Sequence, residues 1–241
     1  MKTALVTGAS RGIGRATAVS LAKDGYSVAI NFKANLNEAR STLAECNKHS
    51  EKNVLVQCDV SNEENVKEML DVVKSHFGSL TVLVNNAGIF HEGDSHTNID
   101  AFESIYRNNF LSCVLVTKYT LPLMKAGKII NVSSISGRLG QGRPKSIAYS
   151  AFKAAMDSYT KTLAKELAPK ILVNAIAPGR VATDMWGNPD DKAKTELGEA
   201  HLIKRMIEPE EIADAVMFLV KNDAMCGEIL TIDGGYGICG H

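Results

Sequence analysis

The stretch Ala4-Leu5-Val6-Thr7-Gly8-Ala9-Ser10-Arg11-Gly12-Ile13-Gly14, close to the start of the chain, decides the fold. It opens as a continuous apolar run, which is typical of a strand that is covered on both faces. Glycines follow in a turn, and the amphipathic pattern of a helix begins directly after them. The stretch therefore predicts a β–α unit in which the helix starts at a glycine-rich loop.

The same alternation of short apolar runs and longer amphipathic stretches continues along the chain. The predicted strands are Ala4–Thr7, Ser27–Asn31, Val54–Cys58, Thr81–Asn85, Lys128–Val132, Leu172–Ala177 and Ile229–Asp233. The predicted helices are Ile13–Asp24, Asn35–Asn47, Glu63–Phe77, Ile99–Met124, Ala148–Leu167 and Pro209–Val220. This order indicates an α/β fold with a doubly wound, Rossmann-type parallel sheet and helices on both faces. No linker or composition break divides the chain, so residues 1–241 are predicted to form one domain.

The composition bears on several classes of function. The chain has 27 lysines and arginines against 27 aspartates and glutamates, so no global charge recruits nucleic acid or an anionic membrane. Its five cysteines are scattered and include no C-x-x-C pair, which argues against a disulfide framework or a zinc site. The first residues resemble a strand more than a signal peptide, and no later run approaches about 20 apolar residues. We therefore expect a soluble, cytoplasmic protein.

The glycine loop has the features of a phosphate-binding site. Its glycines allow close approach of a phosphate, and the helix N-terminus adds unpaired N–H groups and a partial positive charge. The spacing is G-x-x-x-G-x-G, not the more common G-x-G-x-x-G, and glycines at such a turn can also be purely structural. Candidate contacts for the pyrophosphate of a dinucleotide are Gly8, Ser10, Arg11, Gly12, Ile13 and Gly14.

The end of the second strand bears on the choice between NAD and NADP. An NAD site places a carboxylate there, which accepts a hydrogen bond from the ribose 2′-hydroxyl. Here the strand ends Ile30-Asn31-Phe32-Lys33, without a carboxylate. Arg11 and Lys33 are placed to contact a 2′-phosphate, although both also fit an ordinary surface. We therefore predict NADP, with NAD as the alternative, and the candidate contacts for the adenosine half are Asn31, Asp59 and Val60.

Tyr149 and Lys153 lie in the run Tyr149-Ser150-Ala151-Phe152-Lys153, within the predicted helix Ala148–Leu167. A helix places residues at this spacing on one face, about 5–6 Å apart at Cβ. A phenol titrates near pH ~10, and a neighbouring cation brings its pKa towards the neutral range, where it exchanges protons more readily. Taken alone, such a pair also occurs on ordinary helix surfaces.

Together these residues resemble the short-chain dehydrogenase/reductase family over essentially the whole chain. Four motifs occur in the family's order: Thr7-Gly8-(x)3-Gly12-x-Gly14, Asn85-Asn86-Ala87-Gly88, Tyr149-(x)3-Lys153 and Pro178-Gly179-Arg180-Val181-Ala182-Thr183. The resemblance implies hydride transfer between a nicotinamide cofactor and a carbonyl or secondary alcohol. It further implies that the cofactor is bordered by Asn86, Ala87 and Gly88 and that its carboxamide is held by Pro178, Gly179, Val181 and Thr183.

The resemblance also implies a catalytic tetrad of Asn109, Ser134, Tyr149 and Lys153. Tyr149 is the expected proton donor, and Lys153 lowers its pKa and binds the nicotinamide ribose. Ser134 hydrogen-bonds the carbonyl oxygen, and Asn109 holds a water that renews the proton. The nearby alternatives are Asn108 for the asparagine and Ser133 and Ser136 for the serine. The interval between Ser134 and Tyr149 is longer than is usual in the family, and the loop that carries the insertion is Arg138–Ile147.

The polar, irregular segment Arg180–Met206 is predicted to lie over the site, either as a lid or as a variable loop. Within it, Met185 and Trp186 are candidate substrate contacts, and Trp186 fits a lid anchor as well as a loop-packing residue. His91 and Glu92 are further candidates for the substrate pocket. The six histidines have no metal-ligand spacing, so we expect each on the surface or in a loop and predict no metal.

Within the family, the chain most resembles the β-ketoacyl-acyl-carrier-protein reductases, which serve fatty acid biosynthesis. The likeness includes Thr183-Asp184-Met185, Glu208–Ala213 and the closing Gly227–Gly235, whereas Lys221–Cys226 is shorter than usual. That subgroup binds an acidic carrier protein beside the entrance of its active site. The lysines expected there are Lys125 and Lys170, although lysines at such positions are often merely solvated.

Two other functions are alternatives. One is a member of the family that acts on a sugar, a polyol or a steroid-like alcohol. The other is a nucleotide-binding regulatory protein without chemistry, which the presence of the whole tetrad disfavours. The family is usually tetrameric and less often dimeric, so we expect a homotetramer that uses the helices Ile99–Met124 and Ala148–Leu167 and the C-terminal strand and helix.

Overall fold

The computed structural model describes residues 2–91, 93–138, 142, 144–187 and 190–239. Its centre is a seven-stranded sheet in which every neighbouring pair of strands runs parallel. The strands are β1 (Thr3–Val6), β2 (Ser27–Phe32), β3 (Val54–Gln57), β4 (Val82–Asn85), β5 (Gly127–Val132), β6 (Ile171–Pro178) and β7 (Ile229–Ile232). They lie in the order β3-β2-β1-β4-β5-β6-β7, so the predicted doubly wound parallel sheet is confirmed.

Helices connect the strands and cover both faces of the sheet. They are α1 (Gly12–Lys23), α2 (Leu36–Asn47), α3 (Glu63–Phe77), α4 (Ile99–Ile105), α5 (Ser112–Thr120), α6 (Ile147–Leu167), α7 (Asp191–Gly198) and α8 (Pro209–Lys221). One core packs α1 and α8 on the sheet, with Leu21 and Val216 among its buried residues. The other packs α3, α5 and α6 on the opposite face, with Met69, Val116 and Leu163. Burial on both sides explains why the strands are continuous apolar runs.

The sheet topology sets where a ligand binds. Because the strands are parallel, all their carboxyl ends lie at one edge of the sheet. The strand order reverses between β1 and β4, and ligands bind at such a switch point in doubly wound sheets. The glycine loop after β1 and the turn after β4 therefore meet at this edge.

The predicted helix Ile99–Met124 is not continuous. It is divided into α4, a π-helical segment at Tyr106–Leu111, α5 and a short 3₁₀ turn at Leu121–Leu123. A π-helical segment needs support from outside the helix, because it inserts an extra residue into the turn, and such segments are frequent at functional sites. The prediction of one regular helix is wrong for this reason.

The predicted irregular segment Arg180–Met206 is partly ordered. It contains α7, whose first turn is capped by Asp190 through a hydrogen bond from the Ala193 N–H at 2.8 Å. Val181 pairs with Ile207 in an isolated bridge, which holds the two ends of the segment together. Asn188 and Pro189 of this segment lie outside the described residues, as do Glu92, Arg143 and His241.

Lys125 and Lys170 do not flank the edge where the ligand crevice lies. Lys125 precedes β5 and Lys170 precedes β6, and the Gly127 N–H donates to the Lys170 carbonyl at 3.1 Å. Both lysines therefore stand at the amino ends of the strands, across the sheet from the carboxyl ends. Within one subunit the two lysines therefore do not stand beside that subunit's own crevice, because strand direction places them on the opposite edge.

Three more observations concern the chain as a whole. Within the described ranges, no helix combines the length and apolar character needed to cross a membrane. All five cysteines are free, and Cys46, Cys58 and Cys113 are buried. In the part of the chain that the structure describes, no group of three or more potential metal ligands occurs.

Candidate active site

The end of β2 holds the glycine loop. The side-chain oxygen of Asn31 accepts a hydrogen bond from the Gly8 N–H at 3.1 Å, and its amide donates to the carbonyls of Val56 and Cys58 at 3.3 and 3.2 Å. Asn31 is 1% exposed, so its amide is engaged inside the protein. Asn31 therefore fixes the loop, and the predicted contact between this side chain and a cofactor is not supported.

The turn after β4 closes on the same loop. Thr7 Oγ1 accepts hydrogen bonds from the N–H groups of Asn86 and Ala87 at 2.9 and 3.0 Å, and Asn86 Nδ2 donates to the carbonyls of Thr7 and Gly8 at 2.9 and 3.1 Å. A Cβ atom at Gly14 would collide with the Gly8 carbonyl oxygen. The first turn of α1 can approach the loop this closely because residue 14 is glycine.

The N-terminus of α1 suits an anion. α1 begins at Gly12, no side chain caps its first turn, and that turn contains no acidic residue. Its N–H groups and the positive end of the helix dipole are therefore available to a phosphate. With the close approach that Gly14 allows, these residues fit the pyrophosphate of a dinucleotide.

Both cations predicted near the ribose 2′ position are paired with carboxylates. Arg11 Nη1 lies 2.9 Å from Asp184 Oδ2, which connects the glycine loop to the segment after β6. Lys33 Nζ lies 2.7 Å from Asp59 Oδ2. The side chains of Arg11 and Lys33 are 59% and 61% exposed, so both remain accessible to a ligand.

The two residues predicted at adenine follow β3. Asp59 accepts hydrogen bonds from the Ser61 hydroxyl and N–H at 2.7 and 3.0 Å. Burial raises the pKa of Asp59, but the hydrogen bonds from Lys33 and Ser61 outweigh it and leave that pKa below its ordinary value. Val60 is buried in the core on the α3 face. Asp59 is thus ionised at neutral pH and accepts hydrogen bonds.

α6 carries Tyr149 and Lys153 on the face that meets the end of β5. Lys153 Nζ lies 5.7 Å from the ring centre of Tyr149 and donates a hydrogen bond to the Val132 carbonyl at 2.7 Å. Lys153 is 4% exposed, and its burial lowers its pKa to about 8 against the opposing effects of Cys113 and Asp157. An ammonium at this distance favours the phenolate form of Tyr149.

Three serines follow β5, and their hydroxyls have different surroundings. The Ser133 hydroxyl donates to the Lys153 carbonyl at 3.2 Å, so its hydrogen is used to attach the end of β5 to α6. Ser134 Oγ accepts a hydrogen bond from the Ser136 N–H at 3.1 Å, which leaves its own hydrogen to be donated. Ser134 is thus better placed than Ser133 to bind a carbonyl oxygen.

The π-helical segment presents Asn109 to the loop after β4. Asn109 Oδ1 accepts from the Ile89 N–H and Asn109 Nδ2 donates to the Ile89 carbonyl, both at 2.8 Å. Asn109 is fully buried. The neighbouring Asn108 instead donates to the Ser104 carbonyl within its own helix at 2.9 Å. Of the two asparagines, Asn109 is the one that joins this segment to the site.

Asp94 is a residue of the site that the sequence analysis missed. It is fully buried, and its two carboxylate oxygens accept hydrogen bonds from the N–H groups of Ala148 and Tyr149 at 2.9 and 3.0 Å. The residue at the N-cap of α6, Ser146, makes no side-chain cap. Asp94 therefore supplies the cap from a distant loop, and no local sequence signal marks such a contact.

One cavity of about 160 Å³ brings these elements together. Tyr149, Lys153 and Ser134 line it, and so do Ile13, Asn86, Gly88, Pro178, Gly179, Val181, Thr183, Met185 and Trp186 from the predicted cofactor and substrate contacts. His91 does not line it: its Nδ1 accepts from the Gly93 N–H at 3.0 Å, so it stabilises a turn instead of the pocket. The prediction of His91 as a substrate contact is not supported.

Several residues in the cavity wall, among them Phe90, Arg180 and Tyr236, were not predicted as substrate contacts. Phe90 packs edge-on against Tyr149, with ring centres 5.8 Å apart. Arg180 and Tyr236 also line the cavity. The aromatic character of Phe90 and Tyr236 carries no periodicity, so only the fold reveals their position.

His201 lies in a loop, one of the two placements expected for the histidines, but it has a structural role there. It is fully buried, and burial lowers its pKa. Its Nε2 accepts from the Arg180 N–H at 3.3 Å, and its Nδ1 lies 3.3 Å from the Gly198 carbonyl. A neutral ring with hydrogen on Nδ1 satisfies both contacts, so His201 holds the segment after β6 to α7.

The fold and the site together define an oxidoreductase of the doubly wound α/β class that uses a nicotinamide cofactor. Residues 8–237 match the protein-family model described as enoyl-(acyl carrier protein) reductase. The chain belongs to the short-chain dehydrogenase/reductase family.

Two 3-oxoacyl-[acyl-carrier-protein] reductases are similar in sequence over almost the whole chain. The 3-oxoacyl-[acyl-carrier-protein] reductase FabG of Staphylococcus epidermidis is 37% identical over 97% of this chain and 98% of its own length. The 3-oxoacyl-[acyl-carrier-protein] reductase of Synechocystis is 36% identical over 97% of this chain and 96% of its own.

Solved structures of dehydrogenase/reductases are similar to this chain in fold. A dehydrogenase/reductase from Sinorhizobium meliloti superposes with a TM-score of 0.90 at 33% identity, covering 98% of this chain and 94% of that one. A mutant short-chain dehydrogenase/reductase from Serratia marcescens gives a TM-score of 0.91 at 29% identity, covering 98% of both chains. The likeness therefore extends over almost the whole of each compared chain.

Proposed function

We propose that this protein is an NADP(H)-dependent carbonyl reductase in which Tyr149 is the general acid and base. The observation that carries the proposal is that Tyr149, Lys153 and Ser134 line one cavity, with Lys153 Nζ 5.7 Å from the ring centre of Tyr149. In this function the bound nicotinamide supplies the hydride. The protein supplies the position of the substrate and a proton.

The four residues of the tetrad have separate tasks. Tyr149 gives its hydroxyl proton to the developing alkoxide, and the charged Lys153 stabilises the phenolate that remains. Ser134 donates its hydroxyl hydrogen to the carbonyl oxygen and so fixes its position. Asn109 joins Ile89 to the π-helical segment and holds a water that connects Lys153 to bulk solvent, so that a proton returns by this route to the phenolate of Tyr149.

The cofactor proposal rests on charge at the adenosine end. Arg11 and Lys33 are accessible cations, β2 ends without a carboxylate, and the Asn31 side chain is engaged inside the protein. A 2′-phosphate carries about two negative charges and attracts both cations from their partly exposed ion pairs. Other proposed contacts are the glycine loop, the Asn86–Gly88 turn, Asp59, Val60, Pro178, Gly179, Val181 and Thr183.

The proposed substrate is a 3-oxoacyl group on a carrier, as in the reductases of Staphylococcus epidermidis and Synechocystis whose sequences are 36–37% identical. That substrate would give the protein a place in fatty acid biosynthesis. A ring-bearing alcohol, such as a sugar, polyol or steroid-like compound, is the second candidate. It is favoured by the aromatic walls that Phe90, Trp186 and Tyr236 form, because rings pack well on aromatic faces.

We further propose a cytoplasmic homotetramer of one-domain subunits. Exposed apolar side chains occur on the two faces expected to join subunits. Ile99, Phe102 and Ile147 are 71%, 40% and 45% exposed on α4 and α6, and Phe218 and Ile238 are 49% and 81% exposed near the C-terminus. Exposed apolar side chains on these faces support association between subunits.

The test compares NADPH and NADH oxidation in the presence of acetoacetyl-CoA for the wild type and Tyr149→Phe. The expected result is NADPH-dependent reduction that Tyr149→Phe lowers by roughly two orders of magnitude or more, because the proton donor is lost. The affinity for NADPH, measured by fluorescence, should change little.

Two outcomes would change the proposal. Tight NADPH binding without reduction of any carbonyl in a panel of thioesters, sugars and steroids would indicate a regulatory protein. Turnover that survives in Tyr149→Phe would remove Tyr149 from the role of general acid.

A further inference from the structure

The cavity is positively charged. Among its described lining residues, Lys153 and Arg180 are the charged ones, and no lining residue is a carboxylate. Lys153 is already assigned to Tyr149, whereas the cation of Arg180 has no role in the chemistry proposed above. A cleft lined by one sign of charge between apolar walls attracts ligands of the opposite sign.

Arg180 is held in place by aromatic rings more than by charge. Its guanidinium carbon lies 5.0 Å from the ring centre of Tyr236 and 5.8 Å from that of Trp186. Nη1 donates to the Leu197 carbonyl at 3.2 Å, and Nη2 donates to the Tyr236 hydroxyl at 3.3 Å. These contacts orient the guanidinium without neutralising it.

The hydrogen-bonding capacity of Arg180 is not used up. Nη1 and Nη2 each carry a second hydrogen beyond the one donated to Leu197 or Tyr236, whereas Nε is buried without a partner among the described residues. The ion pairs of arginine that the structure describes belong to Arg11, Arg15, Arg107, Arg138 and Arg205. Arg180 thus offers a full positive charge and spare donors in the wall of the cavity that Ser134, Tyr149 and Lys153 also line.

The backbone on both sides of Arg180 is fixed. Gly179 before it donates from its N–H to the Ile232 carbonyl at 2.9 Å, and Val181 after it pairs with Ile207. The Arg180 N–H itself is bound by His201 at 3.3 Å. The guanidinium is therefore presented from a rigid position at the end of β6, as a binding group for a substrate needs to be.

We propose that Arg180 determines substrate specificity by binding an acceptor oxygen of the substrate other than the reacting carbonyl oxygen. The inference rests on the proposed carbonyl reductase and narrows its substrates to oxo compounds with a second oxygen-bearing group. That group is either a free carboxylate or the carbonyl of an ester or thioester, because both accept hydrogen bonds from a guanidinium.

The test uses three ketones of similar size that differ in the second group. They are 3-oxobutanoate, its ethyl ester and 2-hexanone, assayed with NADPH for the wild type, Arg180→Met and Arg180→Lys. Arg40→Met removes the same charge from an exposed site on α2 and serves as the control. Thermal unfolding of each variant shows whether the segment after β6 remains folded.

The expected result is selective. Arg180→Met should lower kcat/KM for the acid or the ester by roughly 10- to 100-fold, mostly through KM, and for 2-hexanone by less than about threefold. Arg180→Lys should retain part of the activity on the acid, because an ammonium still pairs with a carboxylate. The compound whose kcat/KM falls more in Arg180→Met shows whether Arg180 binds a carboxylate or an ester carbonyl. Equal losses on all three ketones would show that Arg180 only supports the segment after β6, and the inference would fail.

A binding measurement separates this inference from the proposed function. Titration calorimetry of 3-oxobutanoate and its ester into protein loaded with oxidised NADP detects the ternary complex without turnover. Wild-type binding that weakens by about tenfold or more in Arg180→Met supports the inference even when no ketone is reduced. Binding of either compound that is the same in both proteins, or absent in the wild type, overturns it.

Discussion

Asp94 Oδ2 accepts a hydrogen bond at 3.0 Å from the backbone N–H of Tyr149, the residue that the proposed chemistry depends on most. Asp94 belongs to the connection between β4 and α4, which also contains Ile89, and Ile89 is bound on both its N–H and its carbonyl by Asn109. One short loop therefore connects two members of the tetrad. The connection is made by a buried charge at the positive end of a long helix, where a carboxylate is stabilised.

Asp94→Asn should lower kcat by roughly 10- to 100-fold, because the amide group of asparagine cannot accept from both N–H groups and α6 shifts at Tyr149. The pH at which activity is lost should also move to lower values, because removal of a negative charge beside α6 lets both the ammonium of Lys153 and the phenol of Tyr149 lose their protons more readily. Steady-state kinetics across pH measures both effects.

The control for Asp94→Asn is Asp71→Asn, which makes the same change on the exposed surface of α3. It should leave kcat and the pH profile unchanged. A loss of folded protein in Asp94→Asn with an unchanged profile in the remaining enzyme would mean that Asp94 only stabilises the fold.

Arg11→Ala should raise the KM for NADPH by roughly tenfold and change that for NADH little, because the guanidinium meets a 2′-phosphate that NADH lacks. Asp184→Asn should lower the KM for NADPH, by a smaller factor, because it releases Arg11 from a partly exposed ion pair worth about 1 kcal/mol or less. Initial rates with both cofactors test this. A wild type that prefers NADH would contradict the roles of Arg11 and Lys33.

The reaction should slow as pH rises through about 8, the pKa to which burial brings Lys153. Above that pH, Lys153 loses the charge that stabilises the phenolate of Tyr149. The measurement is kcat with saturating NADPH and ketone between pH 6 and 10. A rate that stays constant across this range would contradict the charged state assigned to Lys153.

The same shift predicts how stability depends on pH. In the unfolded chain Lys153 keeps its proton up to pH ~10.4, whereas in the folded protein it releases it near 8. Between these values the unfolded chain binds more protons, so the contribution of Lys153 to the free energy of unfolding increases with pH. Urea unfolding at both ends of the window should show this increase in the wild type and not in Lys153→Met.

Gly14→Ala should weaken NADPH binding by roughly tenfold or more and destabilise the protein by about 1–3 kcal/mol, because the added Cβ meets the Gly8 carbonyl oxygen. Fluorescence titration and urea unfolding measure the two effects. Ser20→Ala in the same helix is the control, and it should leave both unchanged. Normal NADPH affinity in Gly14→Ala would show that α1 can move away from the loop without cost.

The parts of the fold with a strong local signal were predictable. The strands are buried on both faces, so continuous apolar runs marked them, and β4 at Val82–Asn85 and β5 at Gly127–Val132 begin within a residue of their predicted starts. α7 was missed because it is polar on most sides and so lacks an apolar periodicity. The π-helical segment was missed because Asn109 is held by Ile89, which is distant in sequence.

The residues of the candidate site also differ in whether the local sequence marks them. Gly14, Ser134, Tyr149 and Lys153 stand in motifs of fixed spacing, and the structure places them around one edge of the sheet. Asp94 and Arg180 make contacts with residues distant in sequence, and no motif of fixed spacing predicts those contacts. Lys125 and Lys170 precede β5 and β6, and a residue just before a parallel strand lies at the edge opposite the ligand crevice of its own subunit.

α6 presents Tyr149 and Lys153 on one 21-residue helix, while most of the other residues that line the cavity stand in the loops after β4, β5 and β6. In the proposed function, the pair that transfers the proton and most of the substrate contacts thus belong to different parts of the chain. Exchanging the segment Arg180–Met206 for that of a relative would change one wall of the cavity and leave Tyr149 and Lys153 in place. New substrates become reachable by recombination of loops, without rebuilding the groups that move the proton.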